Sequence, residues 1–295
     1  MTAQALASRP GRGQPLVDGE FAFTQADFDR IAGLLHEDCG IHLPPAKTAL
    51  VYSRLAKRLR ELRLESFHAY CELIESAAGA PERQKMMAAL TTNVTRFFRE
   101  PHHFDHLRRH ILEPAAAAAE ARGGGRLRLW SAGCSTGEEP YSMALTLLAV
   151  LPDAPRLDVR ILASDVDPVV VERGHAGVYG SDAVDQIPAD LRKWLERDPD
   201  QAGAWRVGEA VRALVSFRQL NLMTDWPMRG RFNSIFCRNV AIYFEDAAQQ
   251  RLWQRFAPIL TPQGRLYVGH SERVMSPAFV SDGLTAYRLT GGAAS

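Results

Sequence analysis

The sequence predicts an α/β protein in two parts, an all-helical stretch followed by a larger domain on a mainly parallel sheet. Three observations carry this. Apolar residues recur at helical spacing over 21–90, and after Arg122 short apolar runs of strand length alternate with helical patterns. A Gly123-Gly124-Gly125 cluster marks the change of regime. With 295 residues and 46% hydrophobic content, the chain is long enough for a small domain beside a larger one.

Taken in order, residues 1–20 mix Arg, Gly, Pro and Gln without an apolar core and read as a disordered leader. No apolar run approaches the ~18 residues that span a bilayer. A helical domain is expected over 21–92. It opens at Thr24-Gln25-Ala26-Asp27, a capping-box-like start, with Phe28, Ile31, Leu34 and Leu35 on one face and Gly40 as its stop. Pro44-Pro45 breaks the chain, and 47–62 resumes as a helix with Val51, Leu55, Leu59 and Leu62 inward and Arg54, Lys57, Arg58 and Arg60 on a basic side. Ser66 starts a third helix, and a fourth follows Pro81.

The α/β domain is expected over 93–295. Strands are predicted at 127–132, 157–164, 215–220, 232–237 and 265–269, with helices at 140–151 and 246–260 between them. The charged stretch 187–212, broken by Pro199, Gly203 and Gly208, fits this alternation poorly and reads as a small inserted subdomain.

Composition excludes some functions. The formal net charge of +1 gives no overall pull toward nucleic acid or a membrane surface, so any basic patch must be local. Cys39, Cys71, Cys134 and Cys237 form no CxxC pair, which argues against a zinc site or disulfide framework and for a reducing, cytoplasmic setting.

Ligands of open α/β sheets bind beyond the carboxyl ends of the strands, so the residues following each strand are the candidates. The first strand leads into Gly133-Cys134-Ser135-Thr136-Gly137-Glu138-Glu139. Its glycines permit a tight turn, but the loop lacks Gly-x-Gly-x-x-Gly, and Glu138 and Glu139 would repel a diphosphate while suiting a cationic or hydroxyl-bearing ligand. The plain alternative is that both glutamates complement the helix dipole. Asp165 ends the second strand, placed for ribose hydroxyls, with Asp167 a helix cap; either is also an ordinary cap. Asn221-Leu222 follows the third strand and offers an amide beside an apolar contact. Arg238, Asn239 and Tyr243 follow the fourth, where they either line a pocket or satisfy backbone carbonyls. Upstream, Arg99 in the run 91–100 has the fork geometry to clamp a carboxylate.

The stretches TTNVTRFFRE, WSAGCSTGEEPYSMAL, ILASDVDP, FNSIFCRNVAIYF and LYVGHSE, in this order, resemble the CheR-type chemotaxis receptor (protein-glutamate O-) methyltransferases over residues 21–289. The resemblance implies a Rossmann-like S-adenosylmethionine-dependent methyltransferase domain with a small inserted β-subdomain, preceded by an all-helical domain. It implies that Asn93, Thr95, Arg99, Glu138, Glu139, Asp165, Asn221, Leu222, Arg238 and Asn239 contact S-adenosylmethionine. Tyr243 would lie near the transferred methyl, and Arg99 and Tyr243 would orient the reactants. The products would be glutamate methyl esters and S-adenosylhomocysteine, in sensory adaptation. The partner would be the cytoplasmic helical domain of chemoreceptors, met by the face of Arg54, Lys57, Arg58 and Arg60, which without the resemblance reads as an ordinary solvated surface. The enzyme is expected to act as a monomer without metal, nucleic acid or membrane insertion.

A glutamate side chain with pKa near ~4.3 is already ionised at neutral pH, so the chemistry calls for no general base. His102, His106 and His110 recur every four residues, but three ligands from one straight helix seldom close a metal site, and a surface helix accounts for them. Two rival functions are a binding protein that keeps the cofactor without turnover and an NAD-dependent oxidoreductase, the latter disfavoured by the acidic loop.

Overall fold

The computed structural model describes residues 14–91, 93–122 and 125–291, and the chain divides into two compact units that meet at Thr92 and Asn93. The first contains α1 (Gln25–Cys39), α2 (Thr48–Leu62), α3 (Phe67–Glu75) and α4 (Ala80–Leu90). Thr24 closes a reciprocal capping box with Asp27, and Gly40, at φ 71°, ends α1 where a side chain would be strained. Ser66 caps α3 by accepting from the Ala69 amide at 3.2 Å. Phe23, Ile31, Leu35, Val51, Leu55, Leu59 and Phe67 form the buried core, with the Phe23 and Phe67 rings 4.3 Å apart.

The leader expected over 1–20 lies outside the described residues up to 13. Beyond that the chain is tied down, because the Leu16 amide donates to the Phe23 carbonyl at 2.7 Å and Glu20 pairs with Arg60 at 2.8 Å. The basic face of α2 is also narrower than the sequence implies. Arg54 donates to the carbonyls of Ala89, Leu90 and Thr91 at 2.8–3.2 Å, satisfying the carboxyl end of α4. Arg58 forks onto Glu82 at 2.7 and 2.9 Å and also reaches Glu61. Arg54 and Arg58 therefore build the domain, while Lys57 and Arg60 are exposed.

The second unit runs α5 (Pro101–Leu107), a π-helical stretch (Arg108–Leu112), α6 (Glu113–Arg122), β1 (Leu127–Ala132), α7 (Glu138–Val150), β2 (Val159–Asp165), α8 (Pro168–Ala176), β3 (Val178–Gly180), α9 (Ser181–Val184), β4 (Leu195–Arg197), β5 (Ala204–Val207), α10 (Glu209–Arg212), β6 (Val215–Gln219), β7 (Phe232–Cys237), α11 (Asp246–Phe256), β8 (Leu260–Val268), β9 (Phe279–Ser281) and β10 (Ala286–Leu289). The main sheet has the order β6-β2-β1-β7-β8-β10-β9, parallel from β6 to β8 and antiparallel at the β10 and β9 edge.

Alternation along β1 shows why both faces are covered. Leu127 and Leu129 enter the cluster formed with α5 and α7, whereas Trp130 packs edge-on against Trp226 and Phe256 at 5.1 and 5.4 Å. The chain reverses direction in the sheet between β6 and β1–β2 on one side and β7–β8 on the other, so the carboxyl ends of β1, β2 and β7 open onto a common crevice. The inserted subdomain is the antiparallel sheet β3-β5-β4. It starts at Val178, ahead of the expected 187, because a three-residue strand directly after a helix leaves no periodicity to read. The edge hairpin β9–β10 was unforeseen for the same reason. No helix among the described residues is long and apolar enough to cross a membrane.

Glu82, 6% exposed, also accepts from the Tyr70 hydroxyl at 3.1 Å, so it anchors α2 and α3 to α4. Glu82→Ala should leave Arg58 only Glu61 as an acidic partner and lower stability by about 2 kcal/mol. Replacing both residues by apolar ones of similar volume should recover most of that loss, as read by denaturant unfolding.

Candidate functional site

Three groups of side chains converge on the carboxyl edge of the parallel strands. The first is built on Asp165, the last residue of β2. Its Oδ2 accepts from the Ser135 amide at 2.9 Å and its Oδ1 from the Asp167 amide at 3.1 Å, so the carboxylate is fixed by backbone amides at the strand tip. Asp167 caps α8 through the Val169 amide at 2.8 Å and accepts from Asn93 Nδ2 at 3.0 Å. The Ser135 hydroxyl donates to the Asn93 carbonyl at 3.0 Å, so the segment carrying Asn93 and the half-buried Thr95 is fastened to the loop after β1. Asp165 thus shapes the loop after β1, and Asp167 caps α8.

The second group surrounds Arg238, whose side chain is 2% exposed. It pairs with Glu139 and Glu100, each at 3.2 Å, and donates to the Arg99 carbonyl. Glu139 also accepts from the Ser131 hydroxyl at 2.7 Å, and Arg99 donates to the Val94 carbonyl at 3.0 Å. Burial raises the Glu139 carboxyl above its ordinary range, with Arg238 only partly offsetting it. Burial likewise raises Glu138, which accepts from Thr136, and Asp165. Glu100 goes the other way: burial pushes it up, but Arg238 and the hydrogen bonds from His270 outweigh that and hold it low. The strand exits therefore carry more carboxylates than guanidiniums, three of them raised by burial.

The third group is the turn after β7. Asn239 adopts φ 58°, and Glu272, 3% exposed, accepts from the amides of Asn239, Val240, Ile242 and Gly269 at 2.6–3.2 Å. Tyr243 is half-buried at the end of the helical turn Ala241–Tyr243 that these bonds hold. Asn221 and Leu222 lie after β6: the Asn221 side-chain oxygen accepts from the Met223 amide at 2.8 Å, and buried Leu222 has its carbonyl held by Arg255 at 2.5 Å.

Residue-by-residue reading missed Ser135, Glu100 and Glu272. The signal for Glu272 was its place in Gly269-His270-Ser271-Glu272, a turn directly after an apolar strand; Glu100 precedes Pro101 at a helix start. The histidine series reads differently in three dimensions. His106 bonds to the Tyr267 hydroxyl at 3.0 Å and to the Asp282 carbonyl at 3.2 Å, so its face packs on the sheet and is no plain surface. Burial, with Arg238 and His102 nearby, pushes His103 down to about 3 and keeps it neutral. Glu100, His102 and His103 bring donor atoms within 4.8 Å of one another, but Arg238 already neutralises the glutamate that a metal ion would need.

This arrangement can be compared with known proteins. Residues 26–91 match the family model described as CheR methyltransferase, all-alpha domain, and residues 93–282 match CheR methyltransferase, SAM binding domain. A probable chemotaxis protein methyltransferase of Rhizobium etli is 47% identical, over 87% of this chain and 97% of the relative. Chemotaxis protein methyltransferase 2 of Pseudomonas aeruginosa is 43% identical over 91% and 94%, and the chemotaxis protein methyltransferase of Escherichia coli 39% over 91% and 92%.

Gly137, at φ 98°, closes the loop where a Cβ would stand 2.8 Å from the Tyr179 hydroxyl and 2.9 Å from the Gly174 Cα. Gly203, at φ 81°, has open space around it. Gly137→Ala should cost about 2 kcal/mol or more in thermal unfolding and Gly203→Ala about 1 kcal/mol, the difference reporting the close approach at the loop.

Proposed function

The chain belongs to the CheR methyltransferase family, and from that premise we propose that it esterifies glutamate side chains on the helical cytoplasmic domain of chemoreceptors, using S-adenosylmethionine. The observation that carries the cofactor reading is the surplus of buried carboxylates: Glu138, Glu139 and Asp165 are all raised by burial and all favour a ligand with positive charge. When bound, the cofactor supplies a methyl group activated on a positively charged sulfur.

The protein's own part is positioning. Asp165 receives the ribose hydroxyls at the strand tip, and Asn221 and Leu222 supply an amide and an apolar contact for the adenine. Asn93, Thr95, Glu138, Glu139, Arg238 and Asn239 complete the cofactor side in this reading. Arg99 and Tyr243 orient the acceptor. Arg99 neutralises an incoming carboxylate without needing to move a proton, and Tyr243 borders the same edge. No base is required, because the acceptor is already ionised near neutral pH. Holding the two reactants in line is worth up to roughly 7 to 11 kcal/mol of barrier lowering, so geometry dominates the catalysis. Lys57 and Arg60, the latter also paired with Glu20, are the exposed cations of α2 that would meet an acidic receptor helix, and the four free, buried cysteines fit a reducing cytoplasm.

The test is transfer of labelled methyl from S-adenosylmethionine to a receptor cytoplasmic fragment, scored as base-labile ester. Arg99→Ala should lower turnover on the order of 100-fold. Asp165→Ala should weaken S-adenosylhomocysteine binding by about 2 kcal/mol. Absence of base-labile label with cofactor bound would overturn the glutamate assignment.

A pH dependence follows from the same carboxylates. Their raised pKa values mean that they take up protons at a higher pH than free carboxyls do, and each proton removes a charge that favours the cationic ligand. Affinity should therefore fall on acidification at a pH above that at which ordinary carboxylates take up protons, in calorimetric titration with S-adenosylmethionine. Glu139→Gln should flatten that slope.

A further inference from the structure

Glu272 has no part in the assigned cofactor or acceptor contacts, yet its surroundings are unusual for a buried charge. Its recorded partners are four backbone amides, two on each oxygen: Asn239 at 2.8 Å and Gly269 at 2.6 Å on Oε2, Val240 at 3.0 Å and Ile242 at 3.2 Å on Oε1. The Glu272 amide itself returns to the Gly269 carbonyl at 2.9 Å, so the turn 269–272 is a closed loop whose side chain grips a second turn, 239–242. The two turns are in close contact. A Cβ on Gly269 would stand 2.5 Å from Asn239 Nδ2 and 2.9 Å from its amide nitrogen.

The gripped turn needs a grip. Asn239 is held at φ 58°, a conformation that costs a non-glycine residue energy and persists only where its surroundings enforce it. Arg238 precedes this turn, Asn239 opens it, and Tyr243 directly follows it at the end of the helical turn Ala241–Tyr243. A carboxylate satisfies four amides at once because it has four lone-pair sites and no proton to misplace; an amide side chain offers one such oxygen and turns two N–H groups toward the remaining donors.

We propose that Glu272 is a positioning residue for the methyltransferase site, fixing Asn239 and Tyr243 through the backbone of the 239–242 turn without contacting the reactants. The inference rests on the reading of Asn239 and Tyr243 given above. It assigns to the carboxyl end of β8 a part in organising the residues at the carboxyl end of β7.

The experiment compares wild type with Glu272→Gln and Glu272→Asp in two assays. One is calorimetric titration with S-adenosylhomocysteine, giving both stoichiometry and affinity. The other is methyl transfer to a receptor fragment, giving kcat and KM separately. Glu272→Gln should bind at full stoichiometry with about tenfold weaker affinity. It should also lose about tenfold or more in kcat, because Tyr243 shifts with the turn. Glu272→Asp, which keeps both oxygens on a shorter stem, should recover part of both losses. A variant with wild-type affinity and kcat would overturn the proposal. So would reduced stoichiometry with unchanged affinity, since that marks a fold defect alone. If wild type binds S-adenosylhomocysteine but methylates no receptor glutamate, the acceptor reading fails, while weakened binding by Glu272→Gln still upholds the grip on Asn239.

Discussion

Capture of backbone amides by buried carboxylates is the interaction on which the rest of this site depends. The strands of a parallel sheet end pointing the same way, and their exits must bend sharply to bring side chains together. Here the exits of β1 and β7 use left-handed backbone at Ser135 and Asn239, and the segment leading into α5 does so at Phe98 and Glu100. Each such conformation costs on the order of 1–3 kcal/mol. Three of the four have an amide taken by a side chain: Phe98 by Ser142 at 3.0 Å, Ser135 by Asp165 and Asn239 by Glu272. Hydrogen bonds to charged groups contribute about 1.5–3 kcal/mol each, so the two carboxylates offset the strain without a wide margin. The site is therefore stiff while its anchors are in place and loosens when one is removed.

Charge follows the same economy of parts. A buried carboxylate is tolerated when amides or a guanidinium surround it, and the three groups use different mixtures. Glu272 relies on amides, Glu100 on Arg238 and His270, and Glu139 on Arg238 and Ser131. Because one guanidinium serves two carboxylates, Arg238 cannot neutralise both, and the residual negative charge stays in the crevice. A diphosphate would be repelled there, whereas a ligand carrying a sulfonium and an ammonium would complete the balance.

What was legible in the sequence was what is local. The β1 and β7 strands fall on 127–132 and 232–237 as expected, since an apolar run bounded by glycine or polar residues carries its own signal. The Thr24 capping box and the Gly40 stop were legible for the same reason. What was not legible depends on partners far along the chain. Nothing near Arg54 announces that it will cap α4 some 35 residues later, and nothing near Glu272 announces amides 30 to 33 residues earlier. The carboxylates beside strand ends were found because the fold class says where to look; the side chains that shape the backbone beneath them had no such guide.

The inserted sheet shows how far that long-range dependence reaches. By sequence it was an appendage, charged and poorly periodic. In the fold, Tyr179 on β3 donates its hydroxyl to the Thr136 carbonyl at 2.7 Å and packs edge-on against Phe97 at 4.9 Å. One aromatic ring thus touches the loop after β1 and the segment that carries Asn93, Thr95 and Arg99. It also occupies the space beside Gly137 that a Cβ would enter. Its hydroxyl adds an obstacle there to the Gly174 Cα and to the φ of 98°, which already strain any side chain at 137. Because Tyr179 fills the gap, the loop conformation, the glycine and the inserted sheet are one packing unit, and displacing β3 must disturb the loop holding Glu138 and Glu139.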